Sequence, residues 1–444
     1  AQPVRRRMMR AATETDHTAH APDGLPRLLP RAAITSLSEH TALYGTLPPI
    51  RSRADRSALV DAVERAGLRG RGGAGFPTAR KLRAVADGGR HTVVVANGAE
   101  GEPASSKDAV LLTTTPHLVL DGAVVAAGAV RADSVIVVVD RRHPSVVDAV
   151  TRAVEERSRA GVDRVPIRVV TIPNRYVAGE ETAVVNFLNG GPAKPMFVPP
   201  RPFERGVRGR PTLVQNVETM ANLALIARFG ADWYRSLGTN DEPGTILVTL
   251  SGAVERPGVY EFAIGTPVQS VLTTAGTPDG VAALLVGGYF GNWLRPSTLG
   301  DVTLSHQALR ACGGTLGCGM IGVLGERTCG LVETARISAY LAQESAEQCG
   351  PCARGLPALA GAVDAIARGR APEGTLPTLQ RWLHDVSRRG ACHLPDGAVG
   401  LISSALDVFA DDVVAHVQHG RCVSGDFNPV LPLPDPSTRD WSWT

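Results

Sequence analysis

Residues Leu68 to Thr78 read Leu-Arg-Gly-Arg-Gly-Gly-Ala-Gly-Phe-Pro-Thr, and Lys81 follows three positions later. Gly70, Gly72, Gly73 and Gly75 leave this backbone almost without Cβ cover. Such a loop reaches positive φ easily and lets a bulky anion approach its N–H groups. Ala79 to Ala86 reads as a helix, so the loop ends at a helix N-terminus, with Arg71, Arg80 and Lys81 adding positive charge. In physical terms that is a phosphate cradle. A flexible surface loop is the alternative that the stretch alone leaves open.

A second group of reactive side chains is sulfur. All seven cysteines follow residue 311: Cys312, Cys318, Cys329, Cys349, Cys352, Cys392 and Cys422. A disulfide-stapled chain would spread them, so this clustering points to metal or redox chemistry. Cys349-Gly-Pro-Cys352 sits near a helix end, and Cys392 precedes another helix. Two spaced thiolates can grip one metal centre, and a later one can close it from a neighbouring helix. Cys-Gly-Pro-Cys is also a dithiol motif of thioredoxin type, but that motif normally follows a strand, and here a helix precedes it. Cys312, Cys318, Cys329 and Cys422 individually read as buried small hydrophobes.

The polar residues fall at the ends of predicted strands. Thr92 to Ala96 is a short apolar run that delivers Asn97, Glu100 and then Ser105, Ser106, Lys107 and Asp108. Open α/β sheets hold their ligands at such carboxyl ends. Val135 to Val139 and Val165 to Ile172 read as further strands, with helices over His117–Val130 and Pro144–Ala160 between them, so a largely parallel sheet is expected. The third strand leads to Gly179, Glu180 and Glu181 at the start of a helix, where carboxylates serve either as caps or toward a ligand. Asn216 and Thr219, before a helix over Met220–Phe229, carry the same two readings. Thr245–Ser251 and Gly258–Phe262 pair as a hairpin, followed by a helix over Thr266–Ala275 and a strand over Ala282–Gly287: a small β-grasp-like module. Tyr289, Phe290 and Trp293 behind it read as packing. Leu331–Ser345, Leu356–Ala367, Thr375–Arg388 and Ala398–His419 form a four-helix pattern.

At 444 residues the chain exceeds one core, so two to four domains are expected. The net charge of +3 gives no reason to expect nucleic acid, and Arg5-Arg6-Arg7 reads as a solvated tail. The most apolar stretch, Leu118–Val130, is short and carries Asp121, and no apolar segment follows the N-terminal arginines. No transmembrane segment and a cytoplasmic location are the expectations.

Several motifs occur together and in order: Gly70–Thr78, Glu100-Gly-Glu-Pro103 with Lys107-Asp108, Gly179-Glu-Glu-Thr-Ala183, Gly209-Arg-Pro-Thr212, Asn216-Val-Glu-Thr219 and Glu344 to Cys352. On these, from about Ser57 to Cys422, the chain resembles the NADH-binding flavoprotein component (the F-type polypeptide) of respiratory NADH dehydrogenase, complex I, and of NAD-linked hydrogenases and formate dehydrogenases. The resemblance implies a multidomain α/β plus α architecture. A lead-in over 1–50 would precede a Rossmann-like parallel α/β domain for FMN and NADH over 51–240. A β-grasp (ubiquitin-like, SLBB-type) domain over 241–324 and a helical iron–sulfur domain over 325–444 would follow. It implies that Gly70, Arg71, Gly72, Gly73, Gly75, Phe76 and Lys81 hold nucleotide phosphates and rings. Asn97, Glu100, Asn216 and Thr219 would line the flavin, and Gly179, Glu180 and Glu181 the nicotinamide side, with Glu100 and Glu180 catalytic.

Cys349, Cys352 and Cys392 would ligate a [4Fe–4S] or [3Fe–4S] cluster. Electrons would pass from NADH through FMN to the cluster and a protein acceptor such as a ferredoxin, in the cytoplasm or peripheral to a membrane complex. Several positions depart from the family pattern. Ala346 stands for the first cluster cysteine, Ala99 for a flavin-side Asp and Ala79 for a Gly. Of the adenine-clamping aromatics Phe76 remains, with Phe203 a substitute near Arg201. Each lost stacking partner costs about 0.5–1.5 kcal/mol. A degenerate paralogue serving as a flavin-binding or docking scaffold is the alternative.

Overall fold

The computed structural model describes residues 27–89, 91–277, 280–300, 302–420, 422, 428–439 and 441–444. The Arg5–Arg7 tail and the first half of the expected lead-in lie outside them. From Arg27 onward the lead-in is packed rather than loose. The Arg27 guanidinium lies 4.1 Å from the Trp233 ring centroid and donates to the carbonyls of Trp233 and Tyr234. The amides of Leu28 and Leu29 both donate to Glu261 Oε2, at 2.9 and 3.1 Å. Helix α1 (Leu37–Tyr44), capped by Ser36, brings His40 Nε2 to 2.6 Å from Asp121. Leu37–Tyr44 reads as a helical turn or two from sequence, but polar anchors remote in the chain hold Arg27–Leu29, and apolar periodicity does not reveal those.

Helix α2 (Arg53–Ala66) opens in a capping box between Ser52 and Asp55 and closes at Gly67 in the left-handed region. The glycine loop and α3 (Thr78–Asp87) follow. Then come β1 (Thr92–Gly98), α4 (Lys107–Thr114), α5 (Pro116–Val130), β2 (Ala132–Asp140), α6 (Pro144–Ala160), β3 (Ile167–Ile172), α7 (Glu181–Leu188), β4 (Thr212–Asn216) and α8 (Val217–Arg235). The sheet order is β3-β2-β1-β4, parallel throughout. Its central strands are apolar at consecutive positions because helices cover both faces. Val94, Ala96, Val135 and Val137 belong to one core and Val93, Val95, Ile136 and Val138 to the other. Helix α5 crosses α8 so closely that a Cβ on Gly122 would fall 1.7 Å from the Met220 carbonyl oxygen. Strand β4 was not expected from Thr-Leu-Val-Gln-Asn. It forms because β1 offers an open edge in register, from Val93 opposite Thr212 to Asn97 opposite Asn216.

The second sheet contains β5 (Thr245–Gly252), β6 (Gly258–Ala263), β7 (Val281–Val286), β8 (Asn292–Leu294) and β9 (Met320–Gly325), with α9 (Val268–Ala275) and α10 (His306–Ala311) between strands. Its order is β6-β5-β9-β7-β8, with β5 and β9 parallel at the centre. This is the β-grasp arrangement, extended by two strands beyond the expectation. Tyr289 and Trp293 are buried in the core behind it, and Trp293 meets Phe409 edge-on at 5.2 Å.

The chain ends in α11 (Gly330–Gln343), a π-turn over Pro351–Gly355, α12 (Leu356–Ala367), α13 (Thr375–Val386), α14 (Leu394–Val408) and α15 (Ala410–His419). These are the four expected helical segments, the last broken at Phe409. Among the described residues no single helix is long and apolar enough to cross a membrane; the α4–α5 pair passes that test only when joined across a 97° bend.

Candidate functional site

Parallel register sets Asn97 and Asn216 side by side at the carboxyl ends of β1 and β4. Asn216 caps α8 by accepting from the Glu218 amide at 2.9 Å, and its Nδ2 donates to Asp108 Oδ2 at 2.6 Å. Asn97 Nδ2 donates to the Gly179 carbonyl at 2.8 Å. Beside Asn216 Lys107 is buried, its Nζ 3.3 Å from Asn216 Oδ1 and 2.8 Å from both Asp108 Oδ1 and Glu218 Oε2. Burial works against the ammonium, but the Asp108 and Glu218 charges win and hold its pKa above the ordinary value. Glu218 Oε1 also accepts from the Leu247 amide at 3.0 Å, so the same network ties the first sheet to β5. The motifs contain Lys107, Asp108 and Glu218, but local pattern does not show that the three form one buried charge network.

The glycine loop rests on this network. The Arg71 amide donates to Thr219 Oγ1 at 2.9 Å, and its guanidinium donates to the Tyr234 hydroxyl and the Thr245 carbonyl. Arg71 is 3% exposed and Thr219 fully buried. The Arg71 guanidinium is thus engaged behind the loop, and Thr219 supports the loop backbone. Gly75 has φ +62°, and a Cβ there would meet the His306 ring of α10 at 2.9 Å; Gly73 has φ +115°. Gly72 has neither constraint, since its nearest neighbour would be Asn216 Cβ at 3.4 Å. Packing of the protein does not require glycine at 72, which fits a backbone left bare for a ligand. Lys81 pairs with Glu181 at 2.5 Å, and Phe76 is exposed. Phe203 is packed against the main core.

Glu100 accepts from Ser105 Oγ at 2.5 Å and from the Asp108 and Ala109 amides, so it holds the first turn of α4. Burial, then the Asp108 charge, pushes its carboxyl up to about 7. Glu180 caps α7 through the amides of Thr182 and Ala183, with its pKa raised by burial. Capping, the plainer of the two readings for Glu180, is thus its observed contact. Gly101 and Gly179 let these two segments meet: added Cβ atoms would fall 2.3 Å from the Tyr176 carbonyl and 2.5 Å from the Ala99 carbonyl.

Cys352 is buried in the bundle core, while Cys349 and Cys392 are half-buried at its edge. Burial pushes the Cys392 thiol up to about 11, and Cys352, Cys349 and Glu180 lie near enough for their charges to add to that rise. The Cys352 sulfur faces the Ser345 hydroxyl and the amides of Ala346 and Glu347. The three thiols lie in or against one core cluster that also holds buried Ala346, whose carbonyl accepts from Lys194 Nζ at 3.0 Å. Three soft donors beside backbone N–H groups suit an iron–sulfur centre bound by three thiolates. Glu344 joins this locus to the first sheet, accepting from Arg175 Nε at 2.9 Å and the Tyr176 amide at 2.7 Å.

Three family models match the chain, one to each of these regions. The model described as the Nuo51 FMN-binding domain matches residues 63–225, that of the NADH-ubiquinone oxidoreductase-F iron-sulfur binding region matches 333–416, and that of the SLBB domain 247–282. The F subunit of the NADH-quinone oxidoreductase of Mycobacterium tuberculosis (strain H37Rv) is 32% identical over 397 residues, covering 85% of this chain and 87% of its own. The HndC subunit of the NADP-reducing hydrogenase of Solidesulfovibrio fructosivorans is 31% identical, covering 82% and 77%. The crystal structure of an NAD+-reducing [NiFe]-hydrogenase in the H2-reduced state superposes with TM-score 0.77 at 32% identity. That match takes in 82% of this chain, which spans 64% of the length of the solved one.

Proposed function

The chain belongs to the family of the F subunit of NADH-quinone oxidoreductase, and from that premise we propose that it passes electrons from NADH through FMN to a three-thiolate iron–sulfur centre and on to a protein acceptor such as a ferredoxin. FMN and an iron–sulfur cluster are the cofactors of its matched domains, and NADH is the family's substrate. When bound, the flavin takes a two-electron hydride and the iron–sulfur centre accepts electrons singly.

One observation carries the reading: the first turn of α7 borders both candidate sites. Its Glu181 pairs with Lys81 beyond the glycine loop, while its Thr182 accepts from the Met196 amide at 2.8 Å, and Lys194, two residues earlier, donates to the Ala346 carbonyl beside the cysteines. The bare amides at Gly72 and Gly73 would hold phosphate. Asn97 and Asn216, fixed by Gly179 and Asp108, would present polar groups to the ring system. Cys349, Cys352 and Cys392 would hold iron, with no side-chain donor at Ala346.

Ala99 and Ala346 favour one second reading, a scaffold that retains flavin without NADH turnover. Anaerobic titration of the purified holoprotein with NADH separates the two. Bleaching of the flavin absorbance followed by a paramagnetic iron–sulfur signal is expected. Bound flavin that NADH leaves oxidised would refute the dehydrogenase reading, and protein that takes up no flavin on reconstitution would refute both.

A further inference from the structure

Two cysteines that sequence alone treats as hydrophobes meet a histidine. Cys329 stands at the cap position of α11, His416 lies in the last turn of α15, and Cys422 lies two residues beyond that helix's Gly420 cap. One ligand atom from each lies within 4.8 Å of the others, and Cys329 Sγ is 3.5 Å from His416 Nε2. Cys329 is 1% exposed and His416 2%, with Cys422 half-buried. The backbone brings them together firmly. A Cβ on Gly369, after α12, would fall 2.4 Å from Gly420 Cα, so the ends of α12 and α15 are in contact beside the start of α11.

Zinc bonds of about 2.3 Å to sulfur and about 2.05 Å to nitrogen, set at the tetrahedral angle, separate the two donors by about 3.5 Å. A thiol–imidazole hydrogen bond would account for the Cys329–His416 distance but not for a third soft donor converging on the same point. A Cys329–Cys422 disulfide would leave the buried imidazole only the backbone of Ile366 and Ala367 at the end of α12. Two thiolates and an imidazole, with no carboxylate in the group among the described residues, select Zn2+ over the hard cations.

We propose that Cys329, His416 and Cys422 bind one Zn2+ that pins the segment after α15 to the start of α11, separately from the iron–sulfur locus. A fourth coordination position remains for water or a further donor. The site anchors one end of α11, whose other end leads to Glu344 and Ala346. The Val430 amide, donating to Glu333 Oε1 at 2.8 Å, holds the later tail to that same helix. The proposal does not depend on the flavin or on NADH turnover.

The test is metal analysis of the full-length holoprotein, purified anaerobically and dialysed against a weak chelator. About one zinc per chain is expected in the wild type, falling roughly tenfold or more in Cys329→Ser and Cys422→Ser while iron stays constant. Cys392→Ala should show the opposite pattern, losing iron and keeping zinc. Wild-type zinc below about a tenth of an equivalent, zinc retained in the Cys329→Ser/Cys422→Ser double variant, or zinc lost with Cys392→Ala would each overturn the proposal. Because Cys329 is buried and its variant can unfold, a second measurement uses the native chain. Alkylation of Cys422 should be slow until a strong chelator is added. Equal alkylation with and without chelator, or a Cys329–Cys422 disulfide in the mass spectrum, would refute it.

Discussion

Replacing Gly72 by alanine separates ligand binding from folding. In the protein alone the new methyl would find Asn216 Cβ at 3.4 Å, an ordinary contact, and Gly72 does not have positive φ. Glycine-to-alanine changes at compatible positions stabilise by about 0.4–1 kcal/mol through the unfolded chain. If the loop amides hold a phosphate, the same methyl obstructs its approach. Loss of one hydrogen bond to a charged group costs about 1.5–3 kcal/mol, or roughly a ten- to hundredfold weaker FMN dissociation constant. Gly75→Ala is the control. Its φ of +62° costs about 1–2 kcal/mol in an L-residue. Its Cβ would also stand 2.9 Å from the His306 ring, so stability falls regardless of ligand. Flavin-fluorescence titration of the apoprotein, beside thermal melts of the same samples, measures both. FMN binding by Gly72→Ala within about twofold of wild type would refute the cradle. A melting temperature lower than that of Gly75→Ala would refute the spatial argument.

Arg71→Met should act on stability rather than on flavin affinity: it removes the guanidinium that serves Tyr234, Thr245 and Glu218, at a cost of about 3 kcal/mol. A flavin dissociation constant that rises tenfold at unchanged stability would return Arg71 to the phosphate (about 1.4 kcal/mol). Glu102 accepts from Tyr176, Tyr289 and Ala104, and burial pushes its carboxyl up to about 7. Its folded pKa lies above the unfolded value near 4.5, so stability is complete below that value and is lost as pH rises through about 7. Glu102→Gln, a neutral acceptor, should therefore raise the melting temperature at pH 8 more than at pH 5, and equal shifts at the two pH values would contradict the assignment. Ala346→Cys supplies a fourth thiol beside Cys352, and iron per chain in reconstituted protein should rise by about one if the wild-type centre lacks one iron. Unchanged iron with an unchanged paramagnetic spectrum would show that the new thiol does not reach the metal.

The apolar runs Val93–Val95 and Val135–Val139 determined buried parallel strands by themselves, because a chain of such residues must cover both faces. The four glycines of the loop and the Cys-Gly-Pro-Cys spacing likewise marked where anion and metal chemistry were to be sought. Strand β4 escaped because Thr-Leu-Val-Gln-Asn is stabilised by the edge of β1, a neighbour remote in sequence. The packed segment from Arg27 escaped because carboxylates and aromatic faces far along the chain anchor it.

What only the tertiary structure decided is how charged and soft side chains are used. Local sequence put Arg71 among the phosphate ligands, yet its guanidinium is engaged with partners more than 140 residues away. Cys329 and Cys422 looked like separate small hydrophobes until the ends of three helices brought them to one imidazole. Hydrophobic periodicity is a local signal, because each residue reports its own need for burial. A hydrogen bond or a ligand set depends on which second residue arrives, and that is known only once the chain has closed on itself.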